Sequence, residues 1–302
     1  MTSVLTGFGV VLVVMALGWV LARTGTLGPQ GQRALAAFVY AIATPALLFD
    51  KLIHTDPAEV FSTHLAVAAI SALAVGACFG LFARWVFGFR RDEAVIAGLG
   101  SSYANAGNLG VPLAAYVLGD AAAVVPVMLF QIAFYAPVTL TAIDLMHEPG
   151  AKWWRNVVVA FKNPMLLAAV VGIVFAAGGL PVPTLIEEPV GMLAGASVPL
   201  ALVVFGMSLY GHWPRPGAPV VCAAVAKTVI QPVVAGLIGA LVFGMTGSAL
   251  QTAVLLGALP TAQNVYTYAL RFRVGEDFAR DTGVVSTALA VPVIMLAGVL
   301  LA

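Results

Sequence analysis

From Val4 to Ala22 the chain carries no charged residue, and apolar runs of similar length return along its whole extent. About 20 such residues cross the hydrocarbon core of a bilayer as a helix, and in lipid only a helix or a closed barrel satisfies its own backbone. The runs fall at about 4–22, 32–52, 63–87, 94–118, 122–146, 163–180, 188–211, 218–244, 249–270 and 281–302, which predicts an all-α, polytopic membrane protein of ten helices. Only 9% of the 302 residues are charged, against about 25% in soluble domains. What lies outside the runs suffices for short loops, which excludes an appended soluble catalytic domain, a nucleic-acid-binding arm and a disordered tail. Net charge is +1, so no nucleic acid or other bulk electrostatic partner is implied. The cysteines, Cys78 and Cys222, sit inside apolar runs and suggest neither a disulfide framework nor a thiolate metal site. Arg23 follows the first run instead of preceding it, so that run reads as a retained helix, not a cleaved signal.

The loops orient the spans. Lys and Arg concentrate on the cytoplasmic side of membrane proteins. With ten spans, twelve of the fourteen basic residues fall on one side. Lys51 is alone on the other, and Lys227 lies within a span. The expected location is therefore an inner (plasma) membrane with both termini extracytoplasmic. The chain also repeats itself: Pro45 is matched by Pro199, Gly98 by Gly257, and Gly119-Asp120 by Gly275-Glu276. The offset of about 155 residues divides one integral membrane domain into residues 1–150 and 151–302, five spans each. Five is odd, so the second repeat enters the membrane the opposite way up. Inverted repeats of this kind build secondary transporters, with the substrate near the midplane between them.

The fourth and ninth spans are where chemistry is expected. In Gly98-Leu-Gly-Ser-Ser-Tyr-Ala-Asn-Ala-Gly-Asn-Leu-Gly-Val-Pro-Leu113, Pro112 lacks an N–H and opposes helix continuation, and Gly107 and Gly110 ease an unwound backbone. Unwound backbone at that depth must be buried by protein or line a cavity. The ninth span repeats the device with Pro260 in Leu259-Pro-Thr-Ala-Gln-Asn-Val-Tyr266. Two broken helices in matching positions are expected to cross, and their half-helix N-termini favour anions. Asn105, Asn108, Gln263 and Asn264 are the candidate substrate-binding amides for a carboxylate; the alternative is that they only join helices. Lys227, deep in the eighth span, is a candidate source of positive charge, since an intramembrane ionisable residue marks function by default; the alternative is a strut to a backbone carbonyl or to Gln231. Gln131 and Tyr135, four apart on the fifth span, are candidates to border the site. Trp153-Trp154 beside Lys152 and Arg155 reads as an interfacial anchor.

No phosphate-cradling, zinc-protease or serine-hydrolase motif is present, and the four histidines show no ligand spacing. The reading is of no enzyme, no catalytic residues, no metal and no cofactor. It leaves a secondary active transporter for a small organic anion, with two alternatives: a cation/proton antiporter on the same scaffold, which needs acidic pairs where this chain has amides, and a non-transporting intramembrane enzyme or receptor.

With these residues in view the chain resembles the auxin efflux carrier family in its bacterial form, over essentially its whole length. The resemblance is carried by Ala43-Thr-Pro-Ala-Leu-Leu-Phe49, Asn105-Ala-Gly-Asn-Leu-Gly-Val-Pro-Leu113, Lys162-Asn-Pro164, Lys227 with Pro232, and Pro260 with Asn264. It implies a ten-helix inverted repeat with crossing fourth and ninth helices, a scaffold set and a moving set, elevator-like alternating access and a homodimer. It further implies a small organic acid such as malonate as substrate, met by Asn105 and Asn264. Unlike plant carriers, this chain has no long loop between its halves and no evident deep acidic residue on the second span.

Overall fold

The structure is a computed structural model and describes residues 2–60, 62–148, 152, 154–211 and 214–301. Met1, Trp153 and Ala302, named above with the termini and the aromatic anchor, lie outside the described residues. So do positions 150 and 151, at the expected boundary between the two halves.

The described residues are predominantly helical and form no strand, only a single isolated β-bridge. In order, the helices of eight residues or more are α1 (Thr2–Thr24), α2 (Gln30–Leu52), α3 (Thr63–Val86), α4 (Arg91–Gly100), α5 (Ala106–Leu118), α6 (Ala121–His147), α7 (Trp154–Phe161), α8 (Pro164–Ala177), α9 (Thr184–Ser208), α10 (Ala218–Leu241), α11 (Gly247–Gly257), α12 (Gln263–Phe272) and α13 (Glu276–Leu300). Among the described residues α2, α3, α6, α9, α10 and α13 are long and apolar enough to cross a membrane, and α7 with α8 makes a seventh if that bent pair is one span. The stretch Gly9–Thr24 of α1, together with α5 and α11, is apolar but shorter. The number of full-length helices falls below ten partly because the fourth and ninth runs are cut in two, into α4 and α5 and into α11 and α12.

Prolines shape the long helices without ending them. Val39–Ala43, Ala106–Gly110, Phe130–Tyr135 and Ala226–Ile230 widen to π geometry just before Pro45, Pro112, Pro137 and Pro232. A proline has no N–H to donate and its ring crowds the carbonyl four residues back. One wider turn relieves both problems, so the helix bends and continues.

The chain packs as two compact units, each built from three separate stretches. The first comprises Met1–Ser62, Gly107–Leu129 and Val158–Gly211. In it α1 packs on α9, and α2 on α8 and α9. Backbones approach closely there: a Cβ on Gly18 would strike the carbonyl of Val203, and one on Gly172 would meet Phe49 and Leu52. Small residues at such places let apolar helices associate in lipid by van der Waals packing. Thr44 and Ser197 pair their hydroxyls at 3.1 Å where α2 and α9 meet.

The second unit comprises Thr63–Ala106, Phe130–Val157 and His212–Ala302. Here α3 packs on α4 and α10, α10 on α11 and α13, and α12 on α13. Gly76 and Gly98 face each other so closely that a Cβ on Gly98 would sit 2.7 Å from the Gly76 carbonyl. Ile96, Leu99, Tyr103, Phe130, Ile143 and Val265 form part of the apolar core around the two interruptions.

Candidate functional site: the crossing of the two interrupted helices

α4 ends at Gly100, and Ser101–Asn105 leaves helical geometry. The hydroxyls of Ser101 and Ser102 donate to the Gly98 carbonyl at 2.9 and 2.7 Å, meeting part of the acceptor demand that a helix C-terminus leaves open. α11 ends at Gly257, and Ala258–Ala262 forms the matching gap. The two gaps pair with each other as a minimal antiparallel ladder. Ala104 bridges Thr261, the Asn105 N–H donates to the Pro260 carbonyl at 2.8 Å, and the Ala262 N–H donates to the Tyr103 carbonyl at 2.9 Å. The Thr261 hydroxyl donates to the Gly100 carbonyl, and its N–H donates to the Ser286 hydroxyl of α13 at 3.0 Å. Backbone that has lost its helix is thereby rebonded inside protein, as the membrane interior demands.

The structure sorts the expected residues. Asn105 is buried in the crossing itself, and Pro260 is in the second gap. Gln263 and Asn264 form the first turn of α12, and both are exposed. Ala262 stands at the N-cap of that helix and offers no side-chain acceptor. The positive end of the α12 dipole thus lies beside two exposed amides, an arrangement that favours an anion. Tyr135 is tied to the crossing: its hydroxyl and that of Ser102 pair at 2.7 Å, and its ring stacks on Tyr103 at 5.8 Å. Gln131 is buried one turn earlier. Asn108, with Gly107, Gly110 and Pro112, lies in α5 and belongs to the first unit. The interruption therefore falls before Gly107, and Pro112 sits in continuous helix behind a π-turn.

Lys227 is fully buried in the π-turn of α10, and its Nζ donates to the Gly257 carbonyl at 2.8 Å. Gly257 is the last residue of α11, so the side chain supplies a donor to the open carbonyl end of a half-helix. One turn on, Gln231 buries a side-chain oxygen that has no hydrogen-bond partner among the described residues. Lys227 and Asp281 are the buried charged side chains among the described residues. Asp281 accepts from the Arg280 side chain at 2.8 Å and the Arg215 N–H at 3.1 Å. No group of three or more His, Cys, Asp or Glu among the described residues could hold a metal ion.

Ser102, Thr261 and Ser286 carry this geometry and were not singled out from the sequence. Two of them lie in the motifs already quoted, where hydroxyls next to a helix break are a usable signal. Ser286 sits on a different helix and leaves no local mark.

The membrane transport protein family profile matches residues 4–156 and 153–297. A Rhizobium meliloti (strain 1021) protein named "Putative malonate transporter" is 30% identical, over 95% of this chain and 91% of its own. An "Uncharacterized transporter" of Methanothermobacter thermautotrophicus is 26% identical over 93% of this chain and 92% of its own. The "Uncharacterized transporter YfdV" of Escherichia coli (strain K12) is 26% identical over 93% and 91%. With its multiple apolar spans, its crossed interruptions and these relatives, the chain belongs to the membrane transport protein family, of the auxin efflux carrier type.

Proposed function

We propose that the protein is a secondary active transporter of a small organic anion, a mono- or dicarboxylate of the malonate kind, working by alternating access in the inner membrane. The observation that carries this reading is the first turn of α12, where exposed Gln263 and Asn264 flank a helix N-terminus without a side-chain cap. Neutral amide donors and an oriented helix end attract a carboxylate without a fixed counter-charge that would hold it too tightly. Asn105 supports the crossing from within; Asn108, on α5 of the first unit, stays a separate candidate amide. Lys227 acts at one remove, holding the C-terminal end of α11 three residues before Pro260. A cation/proton antiporter fits less well, because the buried acid Asp281 already has two partners. The name of the Rhizobium relative points the same way.

The reading includes ten spans arranged as two inverted repeats, 1–150 and 151–302, with both termini outside and two copies associating. Packing supports the repeat. Gly18 meets Val203 and Gly172 meets Phe49; Gly172 lies 154 positions after Gly18, and Val203 lies 154 positions after Phe49. Thr44 and Ser197, 153 residues apart, also pair with each other. Residues near a two-fold axis meet their own counterparts in this way.

The test is uptake by proteoliposomes of labelled malonate, other carboxylates, auxins and amino acids, with and without proton or sodium gradients. The reading expects saturable carboxylate flux. Sodium-driven transport indifferent to carboxylates, or no solute flux at all, would overturn it.

A further inference from the structure

α7 is an amphipathic helix whose faces are unusually assigned. At about 100° per residue, Trp154, Val158 and Phe161 fall within one arc of about 60°, and all three are exposed, at 49, 43 and 59%. Asn156, the uncharged polar residue of the helix, is turned the other way and is only 3% exposed, with Ala160 beside it on the same buried side. Its amide donates to Asp144 at 2.7 Å and to Thr141 at 3.2 Å, and its carbonyl oxygen accepts from the Arg271 guanidinium at 3.2 Å. The helix thus turns large apolar side chains and Arg155 outward and buries its uncharged amide against the protein. Lys152, Arg155 and Lys162 are exposed around it, and the Lys152 ammonium lies 5.8 Å from the Trp154 ring centre.

The direction of α7 fits one surrounding. Asn163 leaves helical geometry and caps α8 through its side chain, with Pro164 next, and α7 departs from α8 at 68°. With α8 set along the bilayer normal, as the apolar run 163–180 expects, α7 runs near the plane of the membrane. An apolar arc beside a cluster of cations is the pattern of a helix lying in the lipid–water interface. Positive residues at the cytoplasmic surface attract anionic headgroups, and these three lie on the side that gathers most of the basic residues.

We propose that α7 is a binding surface for anionic phospholipid headgroups, with Lys152, Arg155 and Lys162 meeting the phosphates and Trp154, Val158 and Phe161 entering the acyl boundary. Through Asn156 and Arg271 it braces the C-terminal end of α12, the helix that begins at Gln263 and Asn264. Lipid charge then sets how firmly α12 is held. This goes beyond the transport reading and does not depend on which solute is carried.

The experiment uses the full chain in phosphatidylcholine vesicles doped with brominated phosphatidylglycerol or brominated phosphatidylcholine. Quenching of Trp154 is taken as the difference from Trp154→Phe. About a fivefold preference per surface cation predicts that the glycerol lipid is favoured at least about tenfold, a ratio falling to about one in K152Q/R155Q/K162Q. Hydrogen exchange across Gln263–Phe272 should slow with phosphatidylglycerol in the wild-type chain and not in Asn156→Ala. Equal quenching by both lipids overturns the headgroup surface, and quenching by neither assigns the face to a second copy of the chain and also overturns it. α12 exchange that ignores lipid charge overturns the brace.

Discussion

Pro112 and Pro260 stand in matching motifs of the two halves, yet the structure treats them differently. Pro112 sits inside continuous helix behind a π-turn, whereas Pro260 lies in a gap where the helix has stopped. The partner gap of the first half is at Ser101–Asn105, before its proline. Proline alone therefore does not cut a membrane helix. A cut holds where other groups take over the abandoned backbone, as the hydroxyls of Ser101, Ser102, Thr261 and Ser286 do here.

The contrast can be attacked where it is most rigid. Gly98→Leu drives a side chain into the Gly76 carbonyl, only 2.7 Å from where the new Cβ would fall; a loss of about 3 kcal/mol or more is expected, read as failure to survive heating in detergent. Thr261→Val comes next. It removes the donor to Gly100 and leaves a buried carbonyl short of a partner, for about 1–3 kcal/mol by thermal unfolding, while Thr261→Ser should largely restore stability. Pro112→Ala should cost less than about 1 kcal/mol, because the π-turn already absorbs the ring. If Pro112→Ala proved as damaging as Thr261→Val, the distinction between bent and cut helices would fail.

The smallest effect lies at the opposite end of α4. Burial pushes the Asp92 carboxyl up, but hydrogen bonds from His147, Arg90 and the Glu93 N–H outweigh it and leave its pKa below the ordinary value. A lowered carboxylate stabilises the fold above its unfolded pKa of about 3.9 and loses that contribution as pH falls through the lower folded value. Thermal stability should therefore hold steady from neutral pH to about 5 and drop below about 4, less steeply in Asp92→Asn.

Much of this was written in the chain. Apolar runs of bilayer length announce the helical membrane class, and amides beside Gly and Pro locate both interruptions to within a few residues. The exact break in the first half was hidden because Pro112 is a strong local signal, while the hydroxyls that stabilise the gap act through packing. Lys227 stood out as a buried charge, but its partner is thirty residues away on another helix, and a backbone carbonyl leaves no mark in sequence. The polar face of α7 was equally silent, since Asn156 gains its meaning from Asp144 and Arg271 on other elements. Local periodicity reports elements; it does not report which of them meet.

The central claim is that the first turn of α12 receives a carboxylate. Equilibrium binding of labelled malonate to the purified protein, compared with a Gln263→Ala/Asn264→Ala double variant of unchanged thermal stability, tests it most directly. Both side chains are exposed, so the variant should fold. The account predicts at least about a tenfold weaker Kd, about 1.4 kcal/mol, in the variant; an unchanged Kd would contradict it.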